Sequence, residues 1–294
     1  MTEISASQVK QLRDQTGAGM MECKNALKES AGDMDKAVEW LRQKGLAAAA
    51  KKSARAASEG LVVGKVSECG KRAVLLEINC ETDFVARNEQ FQAFTDELAQ
   101  LALANKTPDA ESLLALQHNG KKVSELVADK VATIGENLVL RRVAYLELDG
   151  NGVIGLYVHA LGGKMGALVA LEANKEIQPS DVGTVARDLA MHIVSAKPQY
   201  IDRSEIPSEI VENERRIEAG KEDLAKKPPE IREKIVTGRV DKLFAERCLL
   251  EQDFVKDPSQ KISQVLKLKD KGLELKPTKF ALFILGEGLE SDSN

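Results

Sequence analysis

The chain writes one strand-turn-strand pattern twice, and that repetition restricts its fold more than any other feature. Residues 60–66, with Leu61, Val62, Val63 and Val66, lead through a polar turn into 73–77, with Val74, Leu75 and Leu76. Residues 152–158, with Val153, Ile154, Leu156 and Val158, lead likewise into 167–172, with Leu168, Val169 and Leu171. Short aliphatic runs rich in β-branched residues and bounded by glycine read as strands. Each pair is followed by a helical pattern, over 91–101 in the first copy and 185–194 in the second. In the first, Phe91, Phe94, Leu98 and Leu101 recur at spacings of three and four, the apolar stripe of a helix lying on a core. The copies close alike, on 104–108 and on 195–198. The pattern predicts an α+β chain with two related subdomains, each an antiparallel hairpin covered by helices on one side.

The copies differ at the junction between hairpin and helix. The first reads Glu81-Thr82-Asp83-Phe84 and the second Asn174-Lys175-Glu176-Ile177. The first follows 73–78, an apolar run that reads as a buried strand. A junction of this kind is ordinarily short and polar, yet this one sets a carboxylate beside an aromatic. Connections held on a rigid scaffold are where contact residues sit. A plainer account stays open: Thr82 or Asp83 caps the following helix, and Phe84 folds back onto the core as apolar residues usually do.

The stretch Cys80-Glu81-Thr82-Asp83-Phe84-Val85-Ala86-Arg87-Asn88 closely resembles the core loop of the bacterial translation elongation factor Ts family. The likeness extends to 9–13, to 16–24, to Ile134-Gly135-Glu136-Asn137 leading to Arg141-Arg142, and to 191–193 followed by 195–198. The resemblance implies a nucleotide exchange factor for the GTPase elongation factor Tu. It implies that Phe84 inserts into an apolar pocket between helices of the GTPase domain. Thr82, Asp83 and Val85 would disturb the partner's Mg²⁺ site so that GDP leaves. Arg13, Met20 and Met21 would dock on the same domain, and His159 would grip another domain of the partner. At Leu161-Gly162-Gly163-Lys164-Met165, just after His159, the sequence departs from the family pattern.

Composition narrows the classes independently. With 294 residues, 43% hydrophobic and 30% charged, the chain has material for two or more domains with sizeable cores. A net charge of -4 and 4% aromatic residues argue against a dedicated nucleic-acid binder. No apolar run approaches the roughly 20 residues of a membrane helix, and the first residues lack the basic and apolar regions of a signal peptide. Cys23, Cys69, Cys80 and Cys248 are scattered without a CxxC pair, which reads as reduced thiols in a cytoplasmic protein.

The division expected along the chain begins with 1–55, three short helices forming a UBA-like docking module and a basic tether. Ser5 and Gln8 have capping-box spacing, and Lys51, Lys52 and Arg55 make the tether basic. Such a tether is helical or flexible, and its charges read first as a solvated face. Core subdomains follow at 56–140 and at 141–204 with 248–264, and a carboxy-terminal module at 265–294, whose last five residues read as a frayed tail. At 205–247, Ile210, Ile217 and Leu224 fall seven apart on a charged helix that Pro228-Pro229 stops, with a return helix marked by Ile231, Ile235, Val236, Val240 and Leu243. This helical hairpin suits coiled-coil packing, self-association as a homodimer, or packing on itself alone.

Catalytic chemistry is not legible. Residues 150–155 match GxGxxG, but Leu156-Tyr157-Val158 continues as a strand where a phosphate-binding helix is needed. His118, His159 and His192 lack metal-ligand spacing, and Cys80 has no assignable histidine partner. The expectation is a protein that is not an enzyme, without cofactor, metal, bound nucleotide, membrane or required nucleic acid. An RNA-binding or ubiquitin-like-binding adaptor is the alternative, and a small-ligand enzyme on the duplicated core a further one.

Overall fold

The computed structural model describes residues 4–160, 162–225, 227–268 and 272–289. The chain is a mixed structure of helices and antiparallel strands in two compact units. Of the described residues, the first unit takes those within 4–63, 76–144 and 284–289, the second those within 64–75 and 145–283.

In the first unit α1 (Ala6–Thr16), α2 (Met20–Glu29) and α3 (Met34–Lys52) form the amino-terminal bundle. Ser5 and Gln8 make the capping box that starts α1, and Asp33 accepts from the Lys36 amide to start α3. Val9, Leu12, Cys23, Ala26, Leu27 and Ala37 are its buried centre. The third helix is longer than the sequence reading placed it. It continues through Gly45 and the alanines to Lys52, because alanine is the strongest helix former. This segment is no free tether: a Cβ at Gly45 would stand 3.5 Å from that of Ala132. Arg42 also pairs with Glu125, and the Lys52 ammonium donates to the Val131 carbonyl at 3.4 Å.

β1 (Glu59–Val66), β2 (Arg72–Cys80) and β5 (Val139–Glu147) form one sheet in the order β1-β2-β5. Between β2 and β5 come α4 (Asp83–Ala86), α5 (Glu89–Ala104), α6 (Ala110–Ala115), the short pair β3 (Gln117–His118) and β4 (Lys121–Lys122), and α7 (Val123–Ile134). The apolar stripe expected on α5 is buried at Phe91, Phe94 and Leu98.

The second unit carries the other copy of the pattern. β6 (Gly152–Val158) and β7 (Met165–Ala173) pair antiparallel, Val153 opposite Leu171 and Val158 opposite Gly166. The GxGxxG match therefore runs into a strand, as its context indicated. α8 (Pro179–Ala196) lies on this hairpin so closely that a Cβ at Gly155 would sit 2.1 Å from the Ala186 carbonyl oxygen, which only glycine tolerates. Val153, Val169, Leu171, Ala186, Leu189 and Ile193 make the shared core.

α9 (Ser208–Ala219) and α10 (Pro229–Arg247) form the helical hairpin, antiparallel because Glu214 meets Arg247 and Glu218 meets Arg239. The expected seam is corrected in one respect. α9 ends at Ala219, and Leu224 lies in a separate short turn, 1% exposed, while Ile217 stays 50% exposed. Gly220, and not Pro228-Pro229, marks the end of α9; Pro229 opens the return helix at its first turn, where a proline lacks no needed donor. Leu224 packs with Val236, Val240, Phe244, Cys248 and Ile206, a core internal to the hairpin and its base. The unit closes with β8 (Asp253–Phe254), β9 (Asp257–Lys261), α11 (Ile262–Val265), β10 (Lys267–Leu268) and β11 (Leu273–Ile284), and its larger sheet runs β10-β11-β7-β6. Residues 290–294, read from sequence as a frayed tail, lie outside the described residues.

Candidate functional site

The junction after β2 is a single helical turn with an aromatic at its tip. Thr82 is extended, and its hydroxyl oxygen accepts from the Val85 amide at 3.3 Å, so Thr82 is the N-cap of α4. The turn closes through Ala86 N–H to Thr82 C=O at 3.3 Å and Arg87 N–H to Asp83 C=O at 3.1 Å. Asn88 then caps α5 by accepting from the Gln90 amide at 2.8 Å. Two caps six residues apart keep α4 from merging with α5.

Half of the plainer account holds: Thr82 does cap the helix. The other half does not. Phe84 is 80% exposed, while the inward position of the turn is taken by buried Ala86. Asp83 pairs with Arg87 at 2.9 Å across one turn, an exposed contact that contributes little to stability, and Val85 is half-buried.

Beneath the turn lies a clamp that sequence reasoning left without a role. Glu136 follows the αL cap of α7 at Gly135, φ 91°. Its carboxylate accepts from the Glu81 amide at 3.1 Å, the Thr82 amide at 3.0 Å and the Thr82 hydroxyl at 2.6 Å. In return the Asn137 amide donates to the Glu81 carboxylate at 2.6 Å, and the Asn137 side chain donates to the Arg55 carbonyl at 2.9 Å. The available signal was a helix-terminating glycine followed by Glu and Asn, side chains that the ended helix no longer occupies.

Cys80, at the end of β2, is a core thiol. Burial, with the Glu136 carboxylate behind it, pushes its pKa up to about 12, and the thiol donates to the Thr82 carbonyl at 3.1 Å. Exposed Cys69 is displaced the other way, chiefly by its hydrogen bond with Ser67. Iodoacetamide at about pH 8 is therefore expected to alkylate Cys69 well before Cys80, since the thiolate is the nucleophile. Mass spectrometry of each cysteine peptide checks this, and equal rates would show that β2 opens readily.

The remaining candidates fall in two places. Arg13, Met20 and Met21 come together along α1 and α2, where with Ile4, Val9 and Lys24 they line a groove of about 580 Å³. Met20 and Met21 are 54% and 66% exposed. His159 belongs to the second unit, just past β6. Its amide donates to the Met165 carbonyl at 2.9 Å, and its ring meets Tyr157 edge-on at 6.3 Å. Leu161, where the departure from the family pattern begins, lies outside the described residues. His192 is a core residue: its ring bonds Gln252 at 2.9 Å and accepts from the Val255 amide at 3.2 Å, and burial lowers its pKa. Among the described residues no helix is long and apolar enough to cross a membrane.

This junction lies at the start of a family match. A profile described as Elongation factor TS matches residues 81–287. The chain belongs to the elongation factor Ts family. Elongation factor Ts of Syntrophotalea carbinolica is 46% identical over 99% of this chain and 96% of its own length. That of Magnetococcus marinus is 44% identical over 98% of this chain and 94% of its own. That of a Nostoc species is 43% identical over 100% of this chain and 96% of its own. The profile takes in the Glu81–Val85 junction, Glu136 and His159. The amino-terminal bundle precedes it but lies within these near full-length likenesses to elongation factor Ts proteins. The chain thus carries the fold of a translation elongation factor family.

Proposed function

We propose that this chain is a guanine-nucleotide exchange factor that binds GDP-loaded elongation factor Tu, loosens its Mg²⁺ and phosphate site, and lets GDP leave so that GTP can enter. The observation that carries this reading is the exposure of Phe84 on a turn that Thr82 caps at its start and that the Asn88 cap of α5 cuts off at its end. Phe84 is the most exposed large apolar side chain among the described residues, and it stands on a connection held by a rigid scaffold, where contact residues sit.

A factor that speeds release must bind the nucleotide-free partner better than the loaded one, and linkage makes the effect mutual. Moving a population from 1:99 to 99:1 takes about 5.5 kcal/mol of differential binding. No single contact supplies that. In this reading Phe84 fills an apolar pocket of the partner, while Thr82, Asp83 and Val85 act on the groups that hold its Mg²⁺ and phosphate. The groove with Arg13, Met20 and Met21 docks on the same partner domain, and His159 contacts another. The protein works in the cytoplasm, forms no covalent intermediate and binds no nucleotide itself. The finer division into docking module, two core subdomains, hairpin and carboxy-terminal module belongs to the same reading.

Labelled GDP tests it. The protein alone is expected to retain none. Added to elongation factor Tu carrying labelled GDP, with excess unlabelled nucleotide, it is expected to speed release at substoichiometric amounts. Unchanged release, or GDP held by the protein itself, would overturn the proposal.

A further inference from the structure

The turn that presents Phe84 has four residues, too few to be stable as an isolated helix, since nucleation is the costly step. Something outside it must hold its direction. The three donors converging on Glu136 make it the strongest polar fixture at this junction, because bonds to a charged acceptor are shorter and stronger than neutral ones.

The hydroxyl among those donors does more than attach the loop. A threonine hydroxyl has one proton and two lone pairs. With the proton directed to Glu136 at 2.6 Å, a lone pair is left to receive the Val85 amide at 3.3 Å. That second bond is the side-chain cap of α4. The orientation of the turn is thus passed from Glu136 through one oxygen atom. The Asn137 amide, holding the Glu81 carboxylate at 2.6 Å, prevents the strand end from swinging away from Glu136.

We propose that Glu136 is a positioning residue for the Phe84 turn. It holds the turn in its contact geometry before any partner arrives, so that little ordering cost is left at binding. Resting on the exchange-factor reading above, it sets the rate of GDP release through Phe84 without touching the partner.

Glu136→Ala is expected to slow GDP release by about tenfold at subsaturating concentration, the scale set by loss of a charge-assisted bond. In a Phe84→Ala background the same change should cost less than about twofold, since the two act through one element. In the free protein the amides of Val85, Ala86 and Arg87 should exchange with solvent about tenfold faster, while those of α5 and α7 keep their protection. Wild-type release by Glu136→Ala, penalties that multiply, or unchanged α4 amides would each overturn the assignment. If Glu136→Ala does not fold, Thr82→Val retains the β-branched shape without the hydroxyl and should reproduce the defect. Thr82→Ser should then restore release, and wild-type behaviour of Thr82→Val would again overturn it. If the unmodified protein releases no GDP, the exchange-factor reading falls, and the amide rates of Glu136→Ala alone decide the clamp.

Discussion

Phe84→Ala is expected to slow GDP release from elongation factor Tu by roughly tenfold to a hundredfold while the fold stays intact. The two halves of this expectation rest on different observations. At 80% exposure the ring has little packing to lose, and surface substitutions of that kind stay within about 0.5 kcal/mol. Its burial in a partner pocket would supply roughly 1.5–3 kcal/mol, and each 1.36 kcal/mol is about tenfold in rate. Urea denaturation and a GDP-release assay on the same preparation separate these terms. A loss of several kcal/mol in stability would mean that the side chain is core in solution. Unchanged release would remove Phe84 from the contact and with it the main support for the proposed function.

Much of this arrangement was readable because it is local. The duplicated hairpins, the helices after them and the cap at Thr82 each follow from spacings of a few residues. Helix ends were less legible. The alanine run after Gly45 extends α3 to Lys52, and the feature that makes it structural is α7, whose Ala132 lies 87 positions away. Leu224 kept its seven-residue spacing from Ile217 while leaving the helix, since Gly220 ends α9 first. The exposure of Phe84 could not be separated from burial by pattern alone, because an aromatic after a strand fits both. The clamp was invisible for a further reason: Thr82 and Glu136 are 54 residues apart, and no periodicity joins a helix cap to the turn after another helix.

The most consequential case of that kind is Glu77, a lone charge within an apolar run whose every neighbour is buried. It is 0% exposed. Its carboxylate accepts from Arg141 at 2.9 Å, from Arg142 Nε at 2.7 Å and from the Gly286 amide at 2.9 Å. Arg142 continues to the Ile284 carbonyl at 2.8 Å, so one buried carboxylate joins β2, β5 and the segment after β11. Glu77→Ala is expected to cost about 3–5 kcal/mol, because it takes the buried counter-charge from Arg141 and leaves Arg142 with its outer carboxylate partner, Glu287 at 3.4 Å. Burial alone would raise the carboxyl pKa, but the Gly286 amide and the two arginines outweigh it and hold it below its ordinary value. A depressed folded-state pKa places this stabilisation above the unfolded value near 4.3 and removes it as pH falls through the lower folded value. Urea denaturation of both proteins at about pH 7 and about pH 3 should therefore show a wide gap that narrows in acid. A gap that keeps its size at both values would mean that Glu77 contributes through packing and not through its charge.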